Sequence, residues 1–313
     1  MSKSEHLANV MVQCFIEAVE KGLDVVPVVA DSTSTSKIKP FEEKFPQRLV
    51  NVGIAEQVMV GTAAGLALGG KIAVTCNAAP FLISRANEQV KVDVCYNNTN
   101  VKLFGLNAGA SYGPLASTHH STDDISVMRG FGNIEIYAPS CPIECRQIIE
   151  YALQKEGPVY VRMDGKALPE LHDDSYTFAP GNVDRLVDGS DVALVAMGST
   201  VHEAVAAAEQ LAKQKISARV INLSSIRPLN NAALASQLEG VKQVLTVEEH
   251  NINGGAGSVV AEVMAEFGVP ARLTRLGIAD GQYAPAGDRP YTRKCLGIDS
   301  ESIAQSVVSL INQ

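Results

Sequence analysis

Short runs of β-branched residues alternate with longer, small-residue stretches along all 313 residues of this chain. That alternation is the mark of an α/β fold, in which strands and helices bury their apolar faces against each other. The runs 25–30, 72–76, 101–106, 134–138 and 159–163 read as strands. Helical stretches at 4–21, 54–68, 84–97, 123–130 and 142–154 fit between them. The strands are almost continuously apolar, which predicts a parallel sheet covered on both faces. Between 167 and 190 the chain turns polar, gains Pro and Gly and loses its helical period, as a linker does. A second series follows, with strands at 192–196, 218–222, 243–248 and 271–277 and helices at 202–214, 231–237, 255–267 and 300–311. The expectation is an α/β protein of two doubly wound domains, 1–168 and 191–313, joined by a linker over 169–190.

Composition removes several classes of function. Acidic residues outnumber basic ones 34 to 26, for a net charge of −8. With no run of Lys or Arg, that argues against a nucleic-acid partner. The longest apolar stretch, 58–70, is too short and too rich in Gly and Ala to cross a bilayer. The chain opens on polar and charged residues, without the apolar core of a signal peptide. Its six cysteines are scattered, with no Cys-x-x-Cys pair and no zinc-like spacing. They read as reduced thiols of a cytoplasmic protein.

The segment Asn51-Val52-Gly53-Ile54-Ala55-Glu56-Gln57 passes from a short strand through a glycine into a small-residue helix. Read locally, Glu56 complements the positive end of that helix. With its flanks, the segment resembles the pyrimidine-binding domain of transketolase-like thiamine diphosphate enzymes. The resemblance puts the family's cofactor-activating glutamate on Glu56. A carboxylate there holds the protonated pyrimidine nitrogen, which lets the cofactor's own imino group form the reactive ylid.

Further matches follow in family order. Val29 through Lys37 resembles the split-transketolase segment D-A-D-L-x-x-S-T-K; it implies Asp31 near the cofactor and Thr35 and Ser36 at the substrate mouth. The segment from Phe81 to Gln89 resembles F-x-x-G/S-R-A-x-E-Q, so Phe81 stacks on the aminopyrimidine and Arg85 lies at the cofactor. Thr118-His119 matches the T-H of G-E-D-G-x-T-H-Q, which implies that His119 touches the substrate hydroxyl and the developing carbanion alcohol. Further on, Val247 to Gly257 resembles V-E-E-H-x-x-x-G-G-L-G; it reads as a packing turn, with His250 structural.

The chain also departs from the family pattern. A second active-site histidine becomes Asn107, and a substrate-hydroxyl aspartate becomes Leu115. The phosphate-contacting arginine becomes Gly165, leaving Lys166 beside it, and a second pyrimidine-flanking Phe becomes Ala78. These changes point to a substrate other than the standard pentose phosphates, with Asn107 and Lys166 among its contacts. The Gly-Asp-Gly and Asn-Asn metal motif of the diphosphate-binding domain is missing, so Mg2+ or Ca2+ is expected only through a partner chain. The resemblance implies the C-terminal subunit of a split transketolase. It would move a two-carbon ketol unit from a ketose to an aldose, within a heterotetramer built on contacts between pyrimidine domains. Alternatives are a 2-oxo-acid dehydrogenase β subunit, a deoxyxylulose-phosphate-synthase-like subunit or a non-catalytic partner.

Overall fold

The computed structural model describes residues 4–312. Its larger sheet has seven strands in the order Ser225–Arg227, Glu135–Tyr137, Val159–Arg162, Val101–Leu106, Ile72–Ala78, Val25–Val29 and Val50–Asn51. All are parallel except Ser225–Arg227, an antiparallel edge contributed by the second half of the chain. The smaller sheet runs Arg272–Ile278, Gln243–Asn251, Val192–Ala196, Ala218–Asn222 and Asp184–Val187, with only the last antiparallel. Mixed α/β architecture with parallel sheets is therefore observed.

Alternate residues of each strand feed opposite layers. Ala73, Val101 and Leu103 pack under helix Glu56–Leu68, while Val74, Cys76 and Phe104 pack under helices Leu7–Glu20 and Pro142–Gln154. In the second half, Ala193 and Val195 join that first layer, so one core runs under both sheets. Val192 and Leu194 face helices Thr200–Lys213 and Ser300–Ile311.

Several elements depart from the sequence expectation. The helix expected at 84–97 begins at Phe81 and contains two wide π-type turns, Phe81–Arg85 and Val90–Tyr96. Such turns recur at functional sites. The polar stretch 167–190 supplies two strands: Ala167–Leu168, at the end of the first domain, pairs with Glu5–His6, and Asp184–Val187, within the segment read as a linker, extends the smaller sheet. Helix Arg289–Leu296 was not expected, since Gly and Pro crowd its approach; the Asp288 carboxylate caps it by accepting from the Tyr291 N–H at 2.9 Å.

Glu249 joins the halves. One carboxylate oxygen accepts from the Ala110 N–H at 2.8 Å, and the other accepts from Arg293 at 2.7 Å. The Glu249 carbonyl accepts from Arg162 at 3.0 Å. Gly109 has φ 68°, and a Cβ there would meet a Glu249 carboxylate oxygen at 2.6 Å, so the loop can only approach this closely as glycine. The glycine turn after Glu249 closes on protein, not on an external anion. The Glu248 carboxylate accepts from the Ala256 and Gly257 N–H groups at 2.7 and 2.9 Å.

Burial alone would raise the Glu249 carboxyl, but Arg293 and Arg289 outweigh it and hold the group below the ordinary carboxylate range. Glu249→Gln should therefore destabilise the fold by about 1–3 kcal/mol, because Arg293 loses its buried counter-charge and keeps only the part-exposed Glu203 at 2.9 Å. Because folding lowers this pKa, the stabilisation is complete above the unfolded-chain value of about 4.3 and fades as pH falls toward the folded one. Urea denaturation across pH measures both. A loss no larger than that of a surface change, about 0.5 kcal/mol, would remove Glu249 from this role.

Candidate active site

The parallel strands of the larger sheet all deliver their loops to one edge, where α/β sheets place ligands. Strand Val50–Asn51 turns at Gly53, φ 74°, into helix Glu56–Leu68. The Asn51 side-chain oxygen accepts from the Gly53 N–H at 3.0 Å and the Asp31 N–H at 3.2 Å, tying two neighbouring loops together. Glu56 opens the helix and is only 2% exposed. Its carboxylate accepts from Arg85 at 2.7 Å and from Asn77 at 3.2 Å. Burial pushes this carboxyl up, but the hydrogen bonds from Arg85, its own backbone and Asn77 prevail and hold it below its ordinary value. Glu56 is therefore an ionised acceptor at neutral pH.

An aromatic ledge stands beside it. The Arg85 guanidinium lies 4.6 Å from the centre of the Phe81 ring, and that ring meets His119 edge-on at 5.2 Å. Tyr112 meets the His119 ring at 5.4 Å, and Nδ1 of His119 lies 2.9 Å from the Thr118 hydroxyl. One cluster thus gathers Glu56, Phe81, Arg85 and His119 from loops far apart in sequence. A flat heterocycle fits this geometry: an apolar ring to stack on, and a buried carboxylate to hold a protonated ring nitrogen.

The remaining expected residues surround the cluster. Asp31 is exposed, with a left-handed backbone at φ 55°. Thr35 is half-buried. Ser36 is fully buried, and its hydroxyl donates to the Ser32 carbonyl at 2.9 Å. That bond occupies the hydroxyl's proton within its own helical turn. Asn107 has φ 54° and packs where a side chain at Gly165 would stand. Lys166 is exposed on the wall of a cavity of about 530 Å³. Leu115 is exposed in the turn before His119. Sequence reading missed Asn77 and Tyr112. Asn77 lies one residue past the run read as a strand, 72–76, and Tyr112 lies in a Gly/Ser loop where only the histidines stood out.

Two family models cover the chain: the transketolase pyrimidine binding domain at residues 6–170 and the transketolase C-terminal domain at 181–303. The chain belongs to the transketolase family. An apulose-4-phosphate transketolase subunit of Actinobacillus succinogenes is 68% identical, over 99% of this chain and 100% of that protein. The subunit of the same name from Phocaeicola vulgatus is 35% identical, over 98% and 100%. A solved split-gene transketolase, an inactive β4 tetramer, superposes with a TM-score of 0.88 at 30% identity, covering 99% of both chains. This transketolase subunit therefore carries the pyrimidine-binding and C-terminal parts, and its ketol-transfer activity works through a partner subunit.

If Arg85 lowers the Glu56 pKa, Arg85→Met should raise it, since burial remains and the strongest donor is lost. A carbon-13 NMR titration of the Glu-labelled subunit reads this directly. An unmoved Glu56 resonance would show that Arg85 does not control the charge.

Proposed function

We propose that this chain is the pyrimidine-domain subunit of a transketolase that acts on apulose 4-phosphate. The observation that carries the reading is the 68% identity, over nearly the full length of both chains, with a subunit of that name. The departures at Asn107, Leu115 and Gly165 agree with it, because each alters a position tied to ordinary pentose phosphates in the family pattern. A site built to pair one set of hydroxyls rejects mismatched sugars strongly.

In this reading Glu56 binds the pyrimidine ring of thiamine diphosphate and Phe81 stacks on it. When bound, the cofactor supplies the carbanion chemistry. Glu56 holds the proton on the ring nitrogen, and Asn77 and Arg85 fix the Glu56 carboxylate. Asp31 borders the cofactor. His119, oriented by Thr118 and Tyr112, donates to the substrate oxygen, while Thr35, Asn107 and Lys166 line the approach. The partner subunit holds the diphosphate through Mg2+ or Ca2+.

The assembly we propose is a heterotetramer, with contacts between pyrimidine domains. Ile54, Val58, Leu68 and Tyr96 support it, because they form an exposed apolar set around the Glu56–Leu68 helix. We take 1–168 and 191–313 as the domains and 169–190 as their linker. Among the described residues no helix is long and apolar enough to cross a membrane, and the cysteines are free. Both fit a cytoplasmic enzyme of carbohydrate metabolism.

With its partner subunit, the complex should turn over apulose 4-phosphate in clear preference to xylulose 5-phosphate. Glu56→Gln should cut turnover by about 10²–10⁴-fold. It should also slow exchange of the bound cofactor's C2 proton, followed by NMR. Equal efficiency on both sugars would overturn the substrate assignment, and unchanged exchange would overturn the role of Glu56.

A further inference from the structure

The turn that presents His119 has little around it to hold its shape. Between Gly113 and His120 only those two end residues are buried, while Pro114, Leu115, Ser117 and Thr118 face solvent. Its middle is strained, with Ala116 at φ 57°. A strained, exposed turn keeps one shape only where bonds within it over-determine that shape.

Those bonds form a ladder. At its base Gly109 and Ser121 exchange backbone hydrogen bonds at 2.8 and 3.0 Å. Near its top the Ala116 carbonyl accepts from the His119 and His120 N–H groups at 2.9 and 3.0 Å. Between these, the His120 ring spans the strained stretch, with Nε2 3.1 Å from the Gly113 carbonyl oxygen. The Thr118 hydroxyl also donates within the turn, to the Leu115 carbonyl at 3.0 Å, but it is exposed and competes with water.

The chemistry of the His120 contact assigns a tautomer. A carbonyl only accepts, so Nε2 carries the proton. Nδ1 is buried and has no partner, so a second proton there would be a buried donor with nothing to meet. Burial depresses the ring's pKa and outweighs the Gly113 carbonyl and Glu249, which favour the charged form. The neutral ring therefore has a single donor, and it is spent on Gly113. Gly113 is tied onward in turn: its N–H donates to the Ala110 carbonyl at 2.9 Å, and the Ala110 N–H donates to Glu249 at 2.8 Å. His120 thus links the anchor between the halves of the chain to the neighbouring histidine of the site.

We propose that His120 is a positioning residue for His119: its neutral ring, protonated at Nε2, latches the Gly113 carbonyl and fixes the turn that sets the His119 ring against Phe81 and Tyr112. Substitutions separate this role from mere bulk. Glutamine, the residue of the family pattern at this position, carries its carboxamide nitrogen at about the reach of Nε2, whereas asparagine ends near Nδ1 and falls short of Gly113.

The test begins with the full chain, nitrogen-15 labelled at its six histidines. Long-range proton–nitrogen spectra should show His120 protonated at Nε2 and bare at Nδ1. The His119 ring resonances, which the Phe81 and Tyr112 rings shift, should move in His120→Asn and keep their place in His120→Gln. With the partner subunit, His120→Asn should lower kcat and kcat/KM for apulose 4-phosphate together by about 10- to 100-fold, and His120→Gln should stay within about 3-fold of the parent. Exchange of the bound cofactor's C2 proton, assigned above to Glu56, should be unchanged in both; slowed exchange in His120→Asn would mark a collapsed site and overturn the positioning role. The task given to His119 rests on the ketol-transfer reading above, but the latch does not. If the complex ignores apulose 4-phosphate, the substrate assignment fails, and moved His119 resonances in His120→Asn still support the latch. A proton on Nδ1, or His119 resonances unmoved in His120→Asn, would overturn it.

Discussion

The loop that carries His119 depends on how Glu249 is held. It is a buried carboxylate between two arginines of helix Arg289–Leu296, and it reaches across to the backbone of Ala110. Ala110 lies at the start of the loop that carries Tyr112, Thr118 and His119. Arg162 fixes the Glu249 carbonyl from beneath and pairs with Asp124 at 2.9 Å. A buried ion pair is weak as net stabilisation but costly to break, so it serves registry better than stability. By that logic the C-terminal half locks one loop of the first sheet in position.

Much of the fold was legible because its signals are local. The runs at 101–106, 192–196 and 218–222 become strands with the expected limits, since their apolar character is needed wherever two helical layers sandwich a sheet. Ser225–Arg227 and Asp184–Val187 were not legible. Three or four residues carry no period, and only pairing with a distant strand makes them β. The site divides in the same way. Glu56, Phe81 and His119 stand in motifs whose spacing survives in the sequence. Asn77 and Tyr112 matter through contacts that no spacing records, and the Ser36 hydroxyl donates to the backbone four residues earlier, a pairing that no motif shows.

Two of the departures from the family pattern, Asn107 and Gly165, pack on each other. Asn107 fills the space above Gly165, the Ser111 hydroxyl accepts from the Gly165 N–H at 3.3 Å, and Arg289 donates to Ser111. A side chain at Gly165 would clash unless Asn107 also changed. Strain accompanies them: Ala116 has φ 57° and ψ −156° in the turn leading to His119, a region almost reserved for glycine and costing about 1–3 kcal/mol. Its neighbour Leu115 is exposed, so the strain is maintained by the loop's ends, which the Glu249 bond to Ala110 and the Gly109–Ser121 bridge fix.

Half a site poses a problem of its own, because a buried carboxylate awaiting a cofactor is a charge without a partner. Here Glu56 is not left so. It lies at a helix N-terminus, accepts from Asn77, and pairs with Arg85. Asn77 is in turn held by the Ser32 hydroxyl, which extends the network to the next strand exit. Arg85 is the adjustable member, since its side chain is 48% exposed and can exchange Glu56 for water. Exposed pairs cost little to open, whereas a stripped buried charge costs several kcal/mol. The subunit can therefore fold with Glu56 already ionised and already aimed, and surrender only a surface arginine when a better partner arrives.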